Sequence, residues 1–177
     1  MRVFFGIEPG QEAALAISDW RDRQFGPCGR PVSVANLHMT LAFGGELPNT
    51  AVDSLCDATD HWVDGSDIPA VTLELDQTGY WQVPGIYWLG PSRWPPALEA
   101  QVRKLRQLLV GAGARRERRS FQPHVTLFRN CDPAPPMPAQ TPAITLRQRE
   151  IALFESRRLR GSVAYHVLAA WLLPAGD

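Results

Sequence analysis

The chain has 177 residues, 45% of them hydrophobic, with 18 basic and 18 acidic side chains and a formal charge of zero. That length is a prior for one domain with a sizeable core. The balanced charge argues against a protein that coats long nucleic acid, which carries a large positive excess. It leaves room for a site that grips one or two phosphates. All the basic residues except Lys104 are arginine, the better bidentate partner for phosphate.

Cys28, Cys56 and Cys131 are odd in number and far apart, with no C-x-x-C. Their spacing predicts neither a disulfide framework nor a zinc knuckle, and it fits a reducing cytosol and a cytoplasmic protein. The apolar run at residues 3–7 is too short for a signal h-region, and the run at residues 167–173 is too short to cross a membrane.

In chain order, Arg2–Ile7 reads as a buried strand ended by Pro9, and residues 11–24 as a helix with Ala14, Leu15, Ile17 and Trp20 apolar. Residues 26–31 form a Gly/Pro loop. Residues 36–43 alternate as a strand, with His38 and Thr40 on one face and Met39, Leu41 and Phe43 on the other. Residues 48–62 read as a helix with its N-cap just before or at Asn49-Thr50. Strands are expected at residues 71–77 and 86–89, around a turn at Pro84-Gly85. Residues 95–110 carry the clearest helical stripe, Leu98, Val102, Leu105 and Leu109, ended by Gly111 and Gly113. Residues 123–128 read as a strand, and residues 132–142, with five prolines, as an extended linker. Two long strands, 143–155 and 162–173, flank a turn at Gly161. The order of elements predicts an α+β fold rather than a doubly wound parallel sheet. No Gly-rich nucleotide-binding motif follows a strand.

One pattern occurs twice. His38-Met39-Thr40-Leu41 and His124-Val125-Thr126-Leu127 are both H-x-T-L, 86 residues apart. On a strand, His and Thr at i and i+2 project from the same face. From this composition H-x-T-L is expected by chance roughly 0.02 times per chain, so two copies stand well above a single motif match. The pair suggests an internal duplication, although the wider halves show no obvious identity.

A single His beside an apolar strand is commonly a packed, hydrogen-bonded His. Zinc is a second alternative, but two histidines need a third ligand, and no Cys/His/Asp cluster lies at ligand spacing. Two imidazoles and two hydroxyls suit phosphodiester displacement. One imidazole acts as base, the other as acid on the opposite side of phosphorus, and the hydroxyls hold the non-bridging oxygens. Neither metal nor cofactor is required for that chemistry.

These residues resemble the two-histidine (2H) phosphoesterase superfamily, and within it the RNA 2′,3′-cyclic phosphodiesterases, also called 2′-5′ RNA ligases. The likeness includes Arg2-Val3-Phe4-Phe5-Gly6-Ile7 with Pro9, the first motif strand with Gly44, and Gly79-Tyr80-Trp81 followed by Ile86-Tyr87-Trp88-Leu89-Gly90. It continues through Phe121-Gln122-Pro123 and the second motif to Arg129, then Leu153-Phe154-Glu155-Ser156, Gly161 and Tyr165. The resemblance implies one bilobal α+β domain over residues 1–177, its two pseudo-symmetric lobes of antiparallel sheet and helices facing a central cleft.

It further implies hydrolysis of a 2′,3′-cyclic phosphate at an RNA end to a 2′-phosphomonoester. His38 would be the acid on the 3′ leaving oxygen and His124 the base for water, although the sequence does not distinguish the two. Thr40, Thr126 and Arg129 would bind phosphate. The same site run in reverse would account for ATP-independent 2′-5′ ligation. Phe128 departs from the family pattern, which more often has a small residue there, and the Arg157-Arg158 and Arg160 cluster is more basic than a turn requires. A monomer is expected. The alternatives are a small cyclic substrate, such as a cyclic mononucleotide or ADP-ribose cyclic phosphate, and an RNA-binding module without turnover.

Arg129 lies five residues after His124, an odd offset that puts it on the opposite strand face unless the strand ends or bulges near Phe128 or the long side chain curls around; a solvated or salt-bridged arginine is the alternative to a phosphate contact. The run Arg115-Arg116-Glu117-Arg118-Arg119 reads either as a solvated loop or as a steering patch for RNA. Phe4, Phe5, Tyr80, Trp81 and Trp88 are mostly core candidates. His61 and His166 lack a Thr two residues on and read as structural.

Overall fold

A computed structural model describes residues 1–174. Its elements are β1 (Arg2–Ile7), α1 (Gly10–Gln24), β2 (Arg30–Pro31), a 3-10 turn (Val34–Asn36), β3 (Met39–Glu46), α2 (Asn49–Asp64), β4 (Thr72–Leu75), β5 (Gln77–Trp81), β6 (Ile86–Gly90), α3 (Pro96–Gly111), β7 (Val125–Arg129), β8 (Ile144–Arg147), β9 (Glu150–Leu159) and β10 (Ser162–Leu172). The main sheet runs β10-β9-β1-β3-β7-β6-β5, with β2 added to β7, and β4 pairs with β8 in a separate ribbon. Every described pairing is antiparallel. The α+β expectation holds.

The two motif strands are neighbours at the centre of the sheet, in antiparallel register at Met39↔Val125. On one sheet face lies the main core, where Met39, Leu41, Val125 and Leu127 meet the apolar stripe of α3. A much smaller cluster, Phe4, Ala152 and Phe154 with Tyr165 against it, is separate from that core.

Three strand expectations are corrected. Residues 71–77 are not one strand: β4 ends at Leu75 and β5 starts at Gln77, in a different sheet. Residues 143–155 are likewise two strands, β8 and β9, broken at Gln148-Arg149. The break has a polar cause. Gln148 is buried and exchanges side-chain hydrogen bonds with the buried Gln101 of α3, at 2.8 and 3.1 Å. The Val71 N–H donates to Gln148 Oε1 and the Gln148 N–H to the Val71 carbonyl. Gln101 also donates to the Pro69 carbonyl. Apolar alternation conceals such a turn because the residue responsible points inward. The third correction concerns His38, which lies ahead of its strand between the 3-10 turn and Met39; His124 likewise precedes β7.

The cysteine expectation is also corrected: Cys28 and Cys131 form a disulfide, with Cα atoms 5.5 Å apart. Antiparallel pairing of β2 with β7 sets Arg30 opposite Arg129. The residues two before and two after therefore meet, although 103 positions separate them. Linear spacing gives no sign of this contact. Cys56 is free. No helix among the described residues is long and apolar enough to cross a membrane.

The Gln101–Gln148 pair yields a stability prediction. Gln101→Leu leaves the buried Gln148 Nε2 without its acceptor and takes the side-chain donor from the Pro69 carbonyl, while the Val71 N–H still donates to Gln148 Oε1. It should cost about 1–3 kcal/mol in denaturant unfolding. Unchanged stability would show that the pair does not set the β8–β9 break.

Candidate functional site

The register explains how two distant tetrapeptides make one site. With Met39 opposite Val125 in antiparallel strands, the flanking residues meet in crossed order, His38 toward Thr126 and Thr40 toward His124. The histidines are then diagonal neighbours, at an expected separation of about 7–8 Å. Met39 and Val125 are fully buried, which turns the His and Thr side chains to the other face.

Both imidazoles are held in the same way. His38 Nδ1–H donates to the Asn36 carbonyl at 2.7 Å, and His124 Nδ1–H to the Gln122 carbonyl at 2.8 Å. A carbonyl only accepts, so Nδ1 carries the proton in each ring and Nε2 is left for substrate. Asn36 is itself tied to β10 by donation from its Nδ2 to the Val163 carbonyl. Neither motif threonine has a side-chain hydrogen bond among the described residues, so both hydroxyls can serve a ligand.

Aromatic side chains enclose each ring. His38 lies against Phe4, Phe154 and Tyr165, the last edge-on at 4.5 Å between centroids. His124 meets Trp81 edge-on at 4.6 Å and Trp88 at 6.0 Å. Phe4, Phe5 and Trp88 are buried, as expected of core candidates, whereas Tyr80 and Trp81 are half-buried.

The arginine problem is solved by a bulge. Tyr87 pairs with Phe128 and Trp88 with Thr126, so Leu127 is the extra residue on β7. Leu127 and Phe128 both turn into the core, and Arg129 emerges on the motif face. Its Nη2 donates to Tyr165 Oη at 3.4 Å, and its charge acts on both imidazoles.

The first motif has the same device. Phe5 pairs with Ala42 and Gly6 with Thr40, leaving Leu41 extra on β3. This corrects the expectation for Phe43, which is 39% exposed instead of facing the core with Met39 and Leu41. The Arg2 guanidinium stacks over its ring at 5.0 Å. In both strands the leucine of H-x-T-L is the bulged residue, and the residue two places on is returned to the motif face.

Burial is the largest influence on the histidines. His38 is lowered from 6.5 to about 4 by burial first, with the Arg129 and His124 charges acting in the same direction and the Asn36 hydrogen bond opposing. His124 is lowered chiefly by burial and also by Arg129, with the Gln122 bond opposing. At neutral pH the free site holds two neutral imidazoles beside one guanidinium. Among the described residues no group of three or more His, Cys, Asp or Glu could hold a metal ion. His61 and His166 are both exposed. The contact of Tyr165 with both His38 and Arg129 was not derivable from spacing; its one signal in the sequence was the family likeness of the closing strands.

The family profile of the 2′-5′ RNA ligase superfamily matches residues 9–159. The chain is 33% identical over 173 residues to the RNA 2′,3′-cyclic phosphodiesterase of Escherichia coli K12, covering 97% of this chain and 96% of that protein. The crystal structure of E. coli LigT complexed with 3′-AMP superposes with a TM-score of 0.83 at 32% identity, over 97% of each chain. A crystal structure described as a phosphoesterase gives 0.84 at 32% identity, again over 97% of each.

Arg129→Gln removes a positive charge that disfavours both imidazolium forms. The NMR titration midpoints of His38 and His124 should both move upward in this variant, with His38 still well below 6.5 because burial is its larger cause. Midpoints that stay put would place the Arg129 charge outside the site.

Proposed function

The chain belongs to the 2′-5′ RNA ligase superfamily, and on that premise we propose that it hydrolyses 2′,3′-cyclic phosphate at RNA ends to a 2′-phosphomonoester. One observation carries the reading. Two H-x-T segments cross at the centre of the sheet, each histidine fixed through Nδ1 to a backbone carbonyl two residues upstream.

In this reading a water molecule attacks phosphorus opposite the 3′ oxygen. His124 Nε2 takes the water proton as the new P–O bond forms. The P–O3′ bond breaks, and His38 Nε2–H gives its proton to the leaving 3′ oxygen. Phosphorus keeps its 2′ ester, the product is the 2′-phosphate, and one proton has moved from His38 to product while another has arrived on His124. The Thr40 and Thr126 hydroxyls donate to non-bridging oxygens, and Arg129 offsets their charge. A 5′-hydroxyl in place of the water would give a 2′-5′ phosphodiester, with the cyclic ester rather than ATP as the source of driving force.

His38 suits the acid role because, once charged, an imidazolium with a strongly lowered pKa gives up its proton readily. Both motifs come from one chain, so we read the unit as a single bilobal domain acting as a monomer. Its RNA substrate would place the work in the cytoplasm. Arg129 beside both rings supports an anionic substrate, whether RNA or a smaller cyclic nucleotide.

The test is turnover of an RNA ending in a 2′,3′-cyclic phosphate, with the product's phosphate position resolved. His38→Ala and His124→Ala should each lower kcat by at least about 10²-fold while the fold is retained. A 3′-phosphate product, or near-normal turnover in either variant, would overturn the assignment.

The pH dependence has a defined sign. Catalysis needs one imidazole charged and one neutral, and both free-enzyme values lie below 6.5. The bell in kcat/KM should therefore peak on the acid side of 6.5. Bound phosphate favours imidazolium, so the kcat profile should extend to higher pH. A kcat/KM optimum above 7 would contradict this account.

A further inference from the structure

The most concentrated positive charge in the chain lies outside the two motifs. Arg115, Arg116, Arg118 and Arg119 occupy five consecutive positions with Glu117, between α3 and β7, and all four arginines are exposed. Glu117 does not neutralise them, because it faces Arg106 of α3 at 3.3 Å. Among the described residues none of the four has a salt bridge or a side-chain hydrogen bond. The chain as a whole is neutral, so this is a local excess rather than general basicity. Four like charges in one loop repel each other and are relieved by an anion.

The loop also lies beside a groove of about 740 Å³ against α3, lined in part by Arg103, Arg106, Gln107, Arg116, Ser120 and Phe121. Of the two acids in its wall, Glu117 is engaged by Arg106 and Glu99 accepts from Trp94 Nε1 at 3.1 Å. The remaining polar lining is rich in donors.

The groove belongs to the α3 layer on the core side of the sheet, and it is the loop itself that leads to the candidate site. The loop passes through Phe121, whose ring meets Trp94 edge-on, to Gln122, whose carbonyl holds His124. Arg119 is five residues from His124, so their Cα atoms are at most about 18 Å apart. A cyclic phosphate at the histidines would have its strand leave on one side only, with a further phosphate at every nucleotide.

We propose that the loop carrying Arg115, Arg116, Arg118 and Arg119 is the docking surface for the phosphodiester backbone of the RNA strand, 5′ to the cyclic end. This rests on the activity argued above and adds to it a preference for RNA over small cyclic nucleotides. Guanidinium pairs phosphate bidentately and without regard to base, so the contact is strong, salt-sensitive and independent of sequence.

The test compares wild type with the quadruple variant R115Q/R116Q/R118Q/R119Q. The substrates are a 2′,3′-cyclic mononucleotide and a cyclic-ended oligoribonucleotide of about ten nucleotides, within the span one site covers. Wild type should prefer the oligonucleotide, and the preference should shrink between about 50 and 200 mM salt. The variant should lose at least about 10-fold in kcat/KM on the oligonucleotide, keep its rate on the mononucleotide, and show a salt slope shallower by roughly 0.7 per lost phosphate contact.

A second readout needs no turnover: anisotropy of a labelled oligoribonucleotide ending in a 2′-phosphate, which the variant should bind more weakly. Equal binding and an unchanged salt slope in the variant would overturn the proposal. Displacement of the RNA by polyglutamate at equal charge concentration would also overturn it, in favour of an acidic protein partner. If wild type turned over neither substrate while the variant still lost RNA binding, the activity would fall and the docking surface would stand.

Discussion

Everything at the site depends on the antiparallel pairing of Met39 with Val125. Both side chains are fully buried, so the register is anchored from the core side. A slip of one residue in either strand would send that strand's histidine and threonine into the core, which the apolar packing of that face forbids. The crossed order of the motifs follows from the antiparallel direction alone. A parallel pairing would set like against like, whereas this one offers an imidazole at each end of the space a phosphate would fill.

The repeated leucine has a use that the repeated histidine and threonine conceal. As the bulged residue in each motif strand, it interrupts alternation immediately after the threonine. Two consecutive apolar residues then enter the core, and the next residue returns to the open face. At that returned position the halves differ: Phe43 lies under the Arg2 guanidinium, and Arg129 reaches Tyr165. The backbone device is symmetric while the chemistry it presents is not. Only the second half thus sets a guanidinium whose charge acts on both imidazoles.

Much of this was legible from residues alone. The helices followed from apolar stripes and Pro/Gly ends, and the site histidines and threonines from a pattern too rare to occur twice by chance. The failures share a cause: each depends on a partner distant in sequence. Gln148 breaks a strand because Gln101, on α3, pairs with it. Cys28 meets Cys131 because β2 joins β7. Phe43 leaves the core because β3 gains a residue against β1. The odd offset of Arg129 from His124 implies a bulge, and Phe43 stands at the same offset from His38, where simple alternation points it inward.

The position of Arg129 shows what it takes to hold a cation beside two imidazoles that burial keeps neutral. Its backbone is paired with Arg30 on the added strand. Beyond it, Asn130 takes a left-handed φ of 55°, and the Cys131 N–H donates to the Gly85 carbonyl. Tyr80 Oη donates to the Cys131 carbonyl at 2.8 Å, and the disulfide joins the same residue to Cys28. Gly85 is needed there, because a Cβ would come within 2.7 Å of the Cys131 carbonyl oxygen. The guanidinium thus projects from a segment tied on several sides. A flexible arginine would lose rotamer freedom on gripping phosphate, whereas one held by its backbone and by Tyr165 loses less. The lowered imidazoles fit the same arrangement: with the free site carrying only the arginine charge, the incoming anion supplies what is needed to charge a histidine.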